Sequence, residues 1–317
     1  MRIVQLESES LVAAVRRPAF AHEWVEYGKT LPAQVVERLA GATVALINKV
    51  QIDAAILDRL PDLKMIAVAA TGTNCVDLAA CKARGIVVSN IRGYAVHTVP
   101  EHVMALLLAL SRNLVAWRET LQAGGWQKSG QWCFFDHPIR DLHGATLGLI
   151  GSGALGNGVA KLAEAFGMRV LRAERKGAAT VRPGHVAFAE VLAQADAISL
   201  HCPLTDETRG LIGEAELRAM KPSVLLINTA RGGIVDEAAL IRALKEGWIA
   251  GAGFDVLTAE PPPDDHPMVD PALLALPNFL LTPHVAWSSR PAMQALADQL
   301  IDNVEAFAAG SPKNRVA

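Results

Sequence analysis

The stretch TLGLIGSGALG at positions 146–156 runs an apolar segment into three glycines spaced as G-x-G-x-x-G. Alone, that spacing carries little. Its setting carries more: residues 146–150 read as a strand and residues 155–166 read as a helix. In such a strand–turn–helix, Gly151 permits a tight turn and Gly153 lets a pyrophosphate approach the backbone. Gly156 lets helix and strand pack closely. The helix start offers unpaired N–H groups and the positive end of its dipole to an anion. The next strand ends at Glu174. A carboxylate there accepts hydrogen bonds from ribose hydroxyls and repels a 2′-phosphate, which favours NAD over NADP. Arg175 and Lys176, which follow, argue the other way, because either can hold a phosphate.

Outward from this turn, short apolar strands alternate with helical patterns, the signature of βαβ units and parallel sheets. Strands are expected at 146–150, 169–173, 197–200, 224–228, 251–255 and 279–281. Helices are expected at 155–166, 188–194, 214–220, 237–246 and 291–309. Six strands with intervening helices match a doubly wound dinucleotide fold. Before it, strands at 2–6, 43–48, 65–69 and 86–89, with helices at 32–39, 54–59 and 77–83, make a smaller α/β unit. One long helix is expected over 100–124, opened by Pro100 and closed by Gly124-Gly125. The last helix has no strand left to pair with in the second domain, so it is expected to return to the first. The expected domains are 1–98 with 287–317, and 99–286. The fold class is α/β, with two Rossmann-like domains of doubly wound parallel sheets, the N-terminal one completed by the C-terminal helix.

Composition excludes several classes. The chain has 317 residues, which points to about two domains. Its net charge of -2 argues against a nucleic-acid partner. No apolar run is long enough to span a bilayer, and the N-terminus MRIVQLESES lacks the pattern of a signal peptide. The expectation is a cytoplasmic protein that binds no membrane. Cys75, Cys81, Cys133 and Cys202 are scattered, with no CxxC pair and no zinc spacing, so neither a metal nor a disulfide is expected.

Three residues follow late strands and offer chemistry. Arg231 follows VLLINTA, at the carboxyl edge where ligands of open α/β sheets bind. Its planar fork suits a carboxylate, and a surface arginine in a tight turn is the bland alternative. His284 follows FLLTP and can act as acid or base near neutral pH; a structural histidine is its alternative. Glu260 lies in the Pro-rich loop after Gly253-Phe254-Asp255. Bonded to a histidine it would fix the tautomer, whereas alone it reads as a solvated loop acid. Lys49, beside Asn48 at a strand end, is either an amine near a pocket or a solvated side chain.

The chain resembles the D-2-hydroxyacid dehydrogenase family over nearly its full length. The resemblance rests on GLIGSGALG (148–156), HCPLTDETRGLI (201–212), MKPSVLLINTARGGIVDE (220–237), GAGFDVLTAEPP (251–262) and LTPHVAW (281–287). It implies an oxidoreductase that passes a hydride between NAD(H) and a small 2-hydroxy acid/2-keto acid pair, with Arg231, Glu260 and His284 as the catalytic set. Implied cofactor contacts are Thr98, Gly151, Ser152, Gly153, Ala154, Leu155, Gly156, Glu174, Arg175, Cys202, Pro203, Thr208, Thr229, Ala230, Asp255 and His284. Implied substrate contacts are Asn48, Thr71, Gly72, Arg231 and His284.

Within the family, the run HVAWSS resembles the glycerate dehydrogenase (hydroxypyruvate reductase) branch, so glycerate/hydroxypyruvate or glyoxylate is the expected substrate pair. Phosphoglycerate dehydrogenase and a non-catalytic NAD(H)-sensing protein are the alternatives. The order Gly72-Thr73-Asn74-Cys75 departs from the aromatic-then-acid pattern of many members, which unsettles a substrate borrowed from them. The resemblance also implies a homodimer, formed through the region from Pro100 to Leu121 and the aromatic segment from Trp126 to Phe135.

Overall fold

The computed structural model describes all residues, Met1–Ala317. The chain divides into two compact units. One comprises Met1–Tyr94 with Ser288–Ala317, and the other is Ala95–Trp287.

The first unit holds β1 (Arg2–Gln5), β2 (Glu23–Glu26), α1 (Val35–Leu39), β3 (Val44–Ile47), α2 (Ala54–Leu57), β4 (Met65–Val68), α3 (Leu78–Ala83) and β5 (Val87–Ser89). Its sheet is wholly parallel, in the order β2-β1-β3-β4-β5. The runs VALI and MIAV of β3 and β4 are buried at every position. Unbroken apolar runs are what strands covered on both faces require. The edge strand β2, EWVE, is absent from the sequence expectation. Its glutamates are exposed, so it lacks the apolar run that marks its neighbours. Asp53 and Asp77 cap α2 and α3, their carboxylates accepting Ile56 N–H (2.9 Å) and Ala80 N–H (2.8 Å).

In the second unit the single helix expected over 100–124 is two helices. They are α4 (Thr98–Ser111) and α5 (Leu114–Gln122), bent by 54°. The break falls at Asn113, which takes a left-handed conformation (φ 53°) that asparagine tolerates better than most residues. Val103, Met104, Leu106, Leu107 and Leu110 of α4 are buried within the unit. A short helix α6 (Gly125–Ser129) follows. Next come β6 (Thr146–Ile150), α7 (Ala154–Ala165), β7 (Arg169–Arg172), α8 (Phe188–Gln194), β8 (Ala197–Leu200) and α9 (Glu214–Ala219). The unit closes with β9 (Leu225–Asn228), α10 (Glu237–Lys245), β10 (Gly251–Phe254), α11 (Pro271–Leu274) and β11 (Phe279–Leu281).

This second sheet is also wholly parallel, in the order β11-β10-β9-β8-β6-β7. The crossover from β6 runs outward to β7 and the next returns past β6 to β8, so the switch point lies between β6 and β8. One apolar cluster lies under α4 and α7 and another under α8, α9 and α10, covering the two faces. Gly158 of α7 admits α4: a Cβ there would stand 2.7 Å from Pro100 Cγ.

The last helix, α12 (Arg290–Ala308), packs on β4 of the first unit. Ser289 caps it, its hydroxyl accepting Ala292 N–H. The residues after it run along β5, with Val316 N–H donating to Val88 O (2.8 Å) and Val88 N–H to Ala317 O (3.1 Å). No single helix is long and apolar enough to cross a membrane.

Candidate active site

The glycine turn leaves β6 at the switch point. Gly151 has φ +97°, and a Cβ on it would lie 2.6 Å from the Cys202 nitrogen. The loop after β6 therefore rests directly on the loop after β8, and only glycine makes that approach. A Cβ on Gly156 would lie 2.2 Å from Gly151 O, so this glycine admits the turn itself as much as the strand. Gly153 is different. A Cβ there meets nothing within 4 Å, because Gly153 borders open space. It stands immediately before α7, whose first N–H groups find no acceptor within the helix. Asn157 steadies the turn by donating its side-chain N–H to Ser152 O (3.0 Å).

The surroundings fit a dinucleotide. Thr229, after β9, is buried, yet its hydroxyl has no hydrogen-bond partner in the chain. An orphaned buried hydroxyl at the carboxyl end of a strand in this sheet is what a bound ligand would satisfy. Thr208 shapes the segment after β8, its hydroxyl donating to Pro203 O (2.6 Å) and accepting Thr205 N–H (2.7 Å). Thr98 opens α4 and donates to Ala286 O (3.1 Å). Glu174 is engaged by its own chain. Its carboxylate accepts Arg175 N–H (2.9 Å), Arg182 N–H (3.0 Å) and Arg182 Nε–H (2.7 Å). The Arg182 guanidinium, with the two amides, holds this carboxyl down to about 2.

Arg231, Glu260 and His284 follow β9, β10 and β11, three neighbouring strands in one parallel sheet. All three therefore emerge at the same carboxyl edge. The structure brings Glu260 and His284 into contact, with Glu260 Oε2 2.6 Å from His284 Nδ1. Glu260 Oε1 also accepts Leu257 N–H (2.9 Å), which fixes the carboxylate against its own loop. With Nδ1 donating to Glu260, the imidazole keeps Nε2 for another partner. Arg231 lies on a turn tied by Asn228, whose side chain donates to Arg231 O (3.0 Å) and accepts Ala230 N–H (3.1 Å). Its guanidinium donates to Ala230 O (2.6 Å). Gly232, next to it, touches the backbone of Leu257 and Thr258, so the Arg231 turn abuts the Glu260 loop.

His284 has φ +55°, an uncommon state for a residue with a Cβ. Asp255 imposes it. This buried carboxylate accepts Val285 N–H and Ala286 N–H, each at 2.9 Å, together with the Thr282 hydroxyl. His102 of α4 stands behind Thr282, Nε2 to Oγ1 3.0 Å. One acid thus clamps the loop on both sides of the histidine. Glu237 does similar work for the Glu260 loop, accepting Thr258 N–H and the Thr258 hydroxyl, each at 2.8 Å. Asn228, Gly232 and Glu237 escape a reading based on chemistry-bearing side chains. Their signal lay in the motif NTARGGIVDE, where each shapes backbone.

In the first unit, Glu7 gathers the strand-end loop that carries Asn48. Its carboxylate accepts the N–H groups of Asn48 (2.7 Å), Lys49 (2.8 Å) and Val50 (2.9 Å). The Thr71 hydroxyl donates to Ile91 O (2.9 Å), and the Asn90 side chain donates to Thr71 O (2.8 Å). The N–H groups of Thr71 and Gly72 donate to no backbone acceptor.

Known proteins resemble this arrangement throughout. A sequence model of the family described as "D-isomer specific 2-hydroxyacid dehydrogenase, NAD binding domain" matches residues 104–286. A glycerate dehydrogenase from Methylorubrum extorquens is 55% identical over 316 residues, covering 99% of this chain and 98% of that protein. A hydroxypyruvate reductase from Blautia hydrogenotrophica is 35% identical, covering 89% and 87%. The crystal structure of D-lactate dehydrogenase with NAD+ from Lactobacillus jensenii superposes with a TM-score of 0.81 at 29% identity, covering 100% of this chain and 99% of that one.

Proposed function

The chain belongs to the D-isomer-specific 2-hydroxyacid dehydrogenase family and is an NAD-linked oxidoreductase; from that premise we propose that it interconverts hydroxypyruvate and D-glycerate, and reduces glyoxylate. The observation that carries the catalytic reading is the Glu260–His284 contact at 2.6 Å, on the sheet edge that also bears Arg231. The substrate follows from the HVAWSS run and from the glycerate dehydrogenase and hydroxypyruvate reductase among the relatives.

NADH, when bound, supplies the hydride to C2 of the keto acid. The Gly151–Gly156 turn, the start of α7 and Thr229 hold the dinucleotide. Arg231 pairs with the substrate carboxylate and draws charge from the carbonyl oxygen. His284 gives that oxygen a proton from Nε2 and takes it back in oxidation. Glu260 holds the ring in the tautomer this needs. Asp255 acts one step back, setting where His284 stands. Asn48, Thr71 and Gly72 are further proposed substrate contacts.

The test follows NADH absorbance with hydroxypyruvate, glyoxylate, pyruvate, phosphohydroxypyruvate and a bulky aromatic keto acid. Hydroxypyruvate and glyoxylate should be the fastest. His284→Ala should lower turnover about a hundredfold or more; unchanged turnover would falsify the assignment.

We also propose a homodimer. The apolar face of α4 is used within its own unit, so the exposed apolar groups beyond it carry this reading. They are Leu114, Leu121, Trp126, Trp132, Phe135 and Ile139, with Trp132 and Phe135 each 86% exposed. Sedimentation should give twice the chain mass. Trp132→Ser with Phe135→Ser should shift the species toward the monomer.

A further inference from the structure

We infer that His102 of α4 is a positioning residue for the reaction. It fixes which way the Thr282 hydroxyl points and, through Thr282 and Asp255, where His284 stands. The inference rests on the proposed role of His284 as the acid–base group.

The Thr282 hydroxyl has one proton to give. Two acceptors compete for it, Asp255 Oδ1 and Phe254 O. The carbonyl is 3.4 Å away and the carboxylate oxygen is nearer. A carboxylate is also the stronger acceptor. The proton therefore goes to Asp255. His102 Nε2 lies 3.0 Å from the same hydroxyl oxygen. With its proton given away, that oxygen can only accept, so Nε2 must carry a hydrogen and donate it. A bare Nε2 would instead compete as an acceptor and draw the hydroxyl proton off Asp255. The tautomer of one histidine thus sets the direction of a chain of hydrogen bonds.

That chain ends at the acid–base group. His102 donates to Thr282, and Thr282 donates to Asp255 Oδ1. Asp255 accepts Val285 N–H on the same oxygen and Ala286 N–H on the other. These amides directly follow His284, which stands at φ +55°. His102 Nε2 is 3.8 Å from Asp255 Oδ1, beyond hydrogen-bond reach, so the hydroxyl is its route to the acid. Asp255 is 1% exposed, so water is not at hand to replace a lost donor.

The place of His102 in the fold supports the same role. α4 packs against β9, β10 and β11, the strands that lead to Arg231, Glu260 and His284. The helix neighbours of His102 on its own face, Val99 and Leu106, are buried apolar groups. An apolar side chain at 102 would continue that stripe and serve for packing alone. The imidazole interrupts it and meets a strand-end hydroxyl instead.

The test is a double-mutant cycle in steady-state kinetics of the intact protein with NADH and hydroxypyruvate. It compares His102→Phe, Thr282→Val and the two together, with His102→Gln and His284→Ala alongside. Phenylalanine keeps the ring and removes the donor, whereas glutamine keeps an N–H. His102→Phe should lower kcat about tenfold, the size of one hydrogen bond in a charged network. KM for hydroxypyruvate should hold, because the loss falls on the transition state. Thr282→Val should lose at least as much, and adding His102→Phe to it should cost nothing more, because the chain is already cut. His102→Gln should recover most of the loss, whereas a role in packing alone would favour phenylalanine over glutamine. Wild-type kcat in His102→Phe, losses that multiply in the double variant, or glutamine no better than phenylalanine overturns the inference alone. Unchanged turnover in His284→Ala overturns the acid–base reading and this inference with it.

Discussion

The carbonyl oxygen of Leu257 stands 1.9 Å from the point where a Cβ on Gly232 would sit. No side chain fits there. The turn bearing Arg231 and the loop bearing Glu260 are in backbone contact, and glycine is the reason they can be.

Gly232→Ala should therefore push one of these loops away. Overpacking of this kind costs about 1–3 kcal/mol. A displacement near 1 Å at the reacting groups costs about a hundredfold in rate. Urea unfolding and steady-state kinetics together check this. Wild-type kinetics in a folded variant would contradict the loop contact as the positioning device.

Asp255→Ala would leave the N–H groups of Val285 and Ala286 without their acceptor. Ala286 N–H is buried, and leaving such a donor unpaired costs about 1–3 kcal/mol. His284 would also lose the clamp that holds it at positive φ. Both the urea midpoint and kcat should fall. A lower midpoint with normal kcat would show that Asp255 supports the unit without placing His284.

Gly153 and Gly156 should behave differently although they share one motif. Gly156→Ala collides with Gly151 O and should lower both Tm and NADH affinity. Gly153→Ala meets nothing in the protein, so its Tm should hold. Its methyl group enters the open space proposed to take the pyrophosphate, and NADH affinity should drop about tenfold or more. Thermal melts and NADH fluorescence titrations separate the two effects.

His201 sets a pH dependence of stability. Burial pushes its imidazole down to about 4, and Nε2 lies 2.8 Å from the buried Ser199 hydroxyl. The unfolded chain, with an ordinary imidazole near 6.5, takes up a proton first as pH falls. This contribution is whole above pH 6.5 and is lost progressively down to about 4. The slope approaches about 1.4 kcal/mol per pH unit. Urea midpoints at several pH values should show the slope, and His201→Gln should flatten it.

The sheet of the second unit was legible in the sequence because most of its strands are buried, mainly apolar runs between turn residues, the edge strand β7 (RVLR) being the exception. β2 was not, because EWVE is short and half exposed at an edge. The bend at Asn113 was not, because the apolar pattern continues across it and only the backbone angle changes. Arg231, Glu260 and His284 were found as chemistry-bearing groups at late strand ends. Their contacts were not visible, because strand order rather than sequence spacing sets who meets whom. The partners of Glu174 were hidden for the same reason, since Arg182 returns to it only when the intervening loop closes.

The first unit is made of two stretches, Met1–Tyr94 and Ser288–Ala317, with the second unit inserted between them. During synthesis, Ala95–Trp287 therefore leaves the ribosome before α12 exists to cover β4. The inner unit has every strand of its own sheet in one continuous stretch and can fold first. The outer unit must wait, with β4 uncovered by α12 and β5 lacking its hydrogen bonds from Val316 and to Ala317. The glycine turn is thus free to assemble early, whereas the Thr71 loop, held by Asn90, gains the support of Asn303 only once the final helix has docked. A nascent chain arrested shortly after Trp287 would be the state most in need of a chaperone.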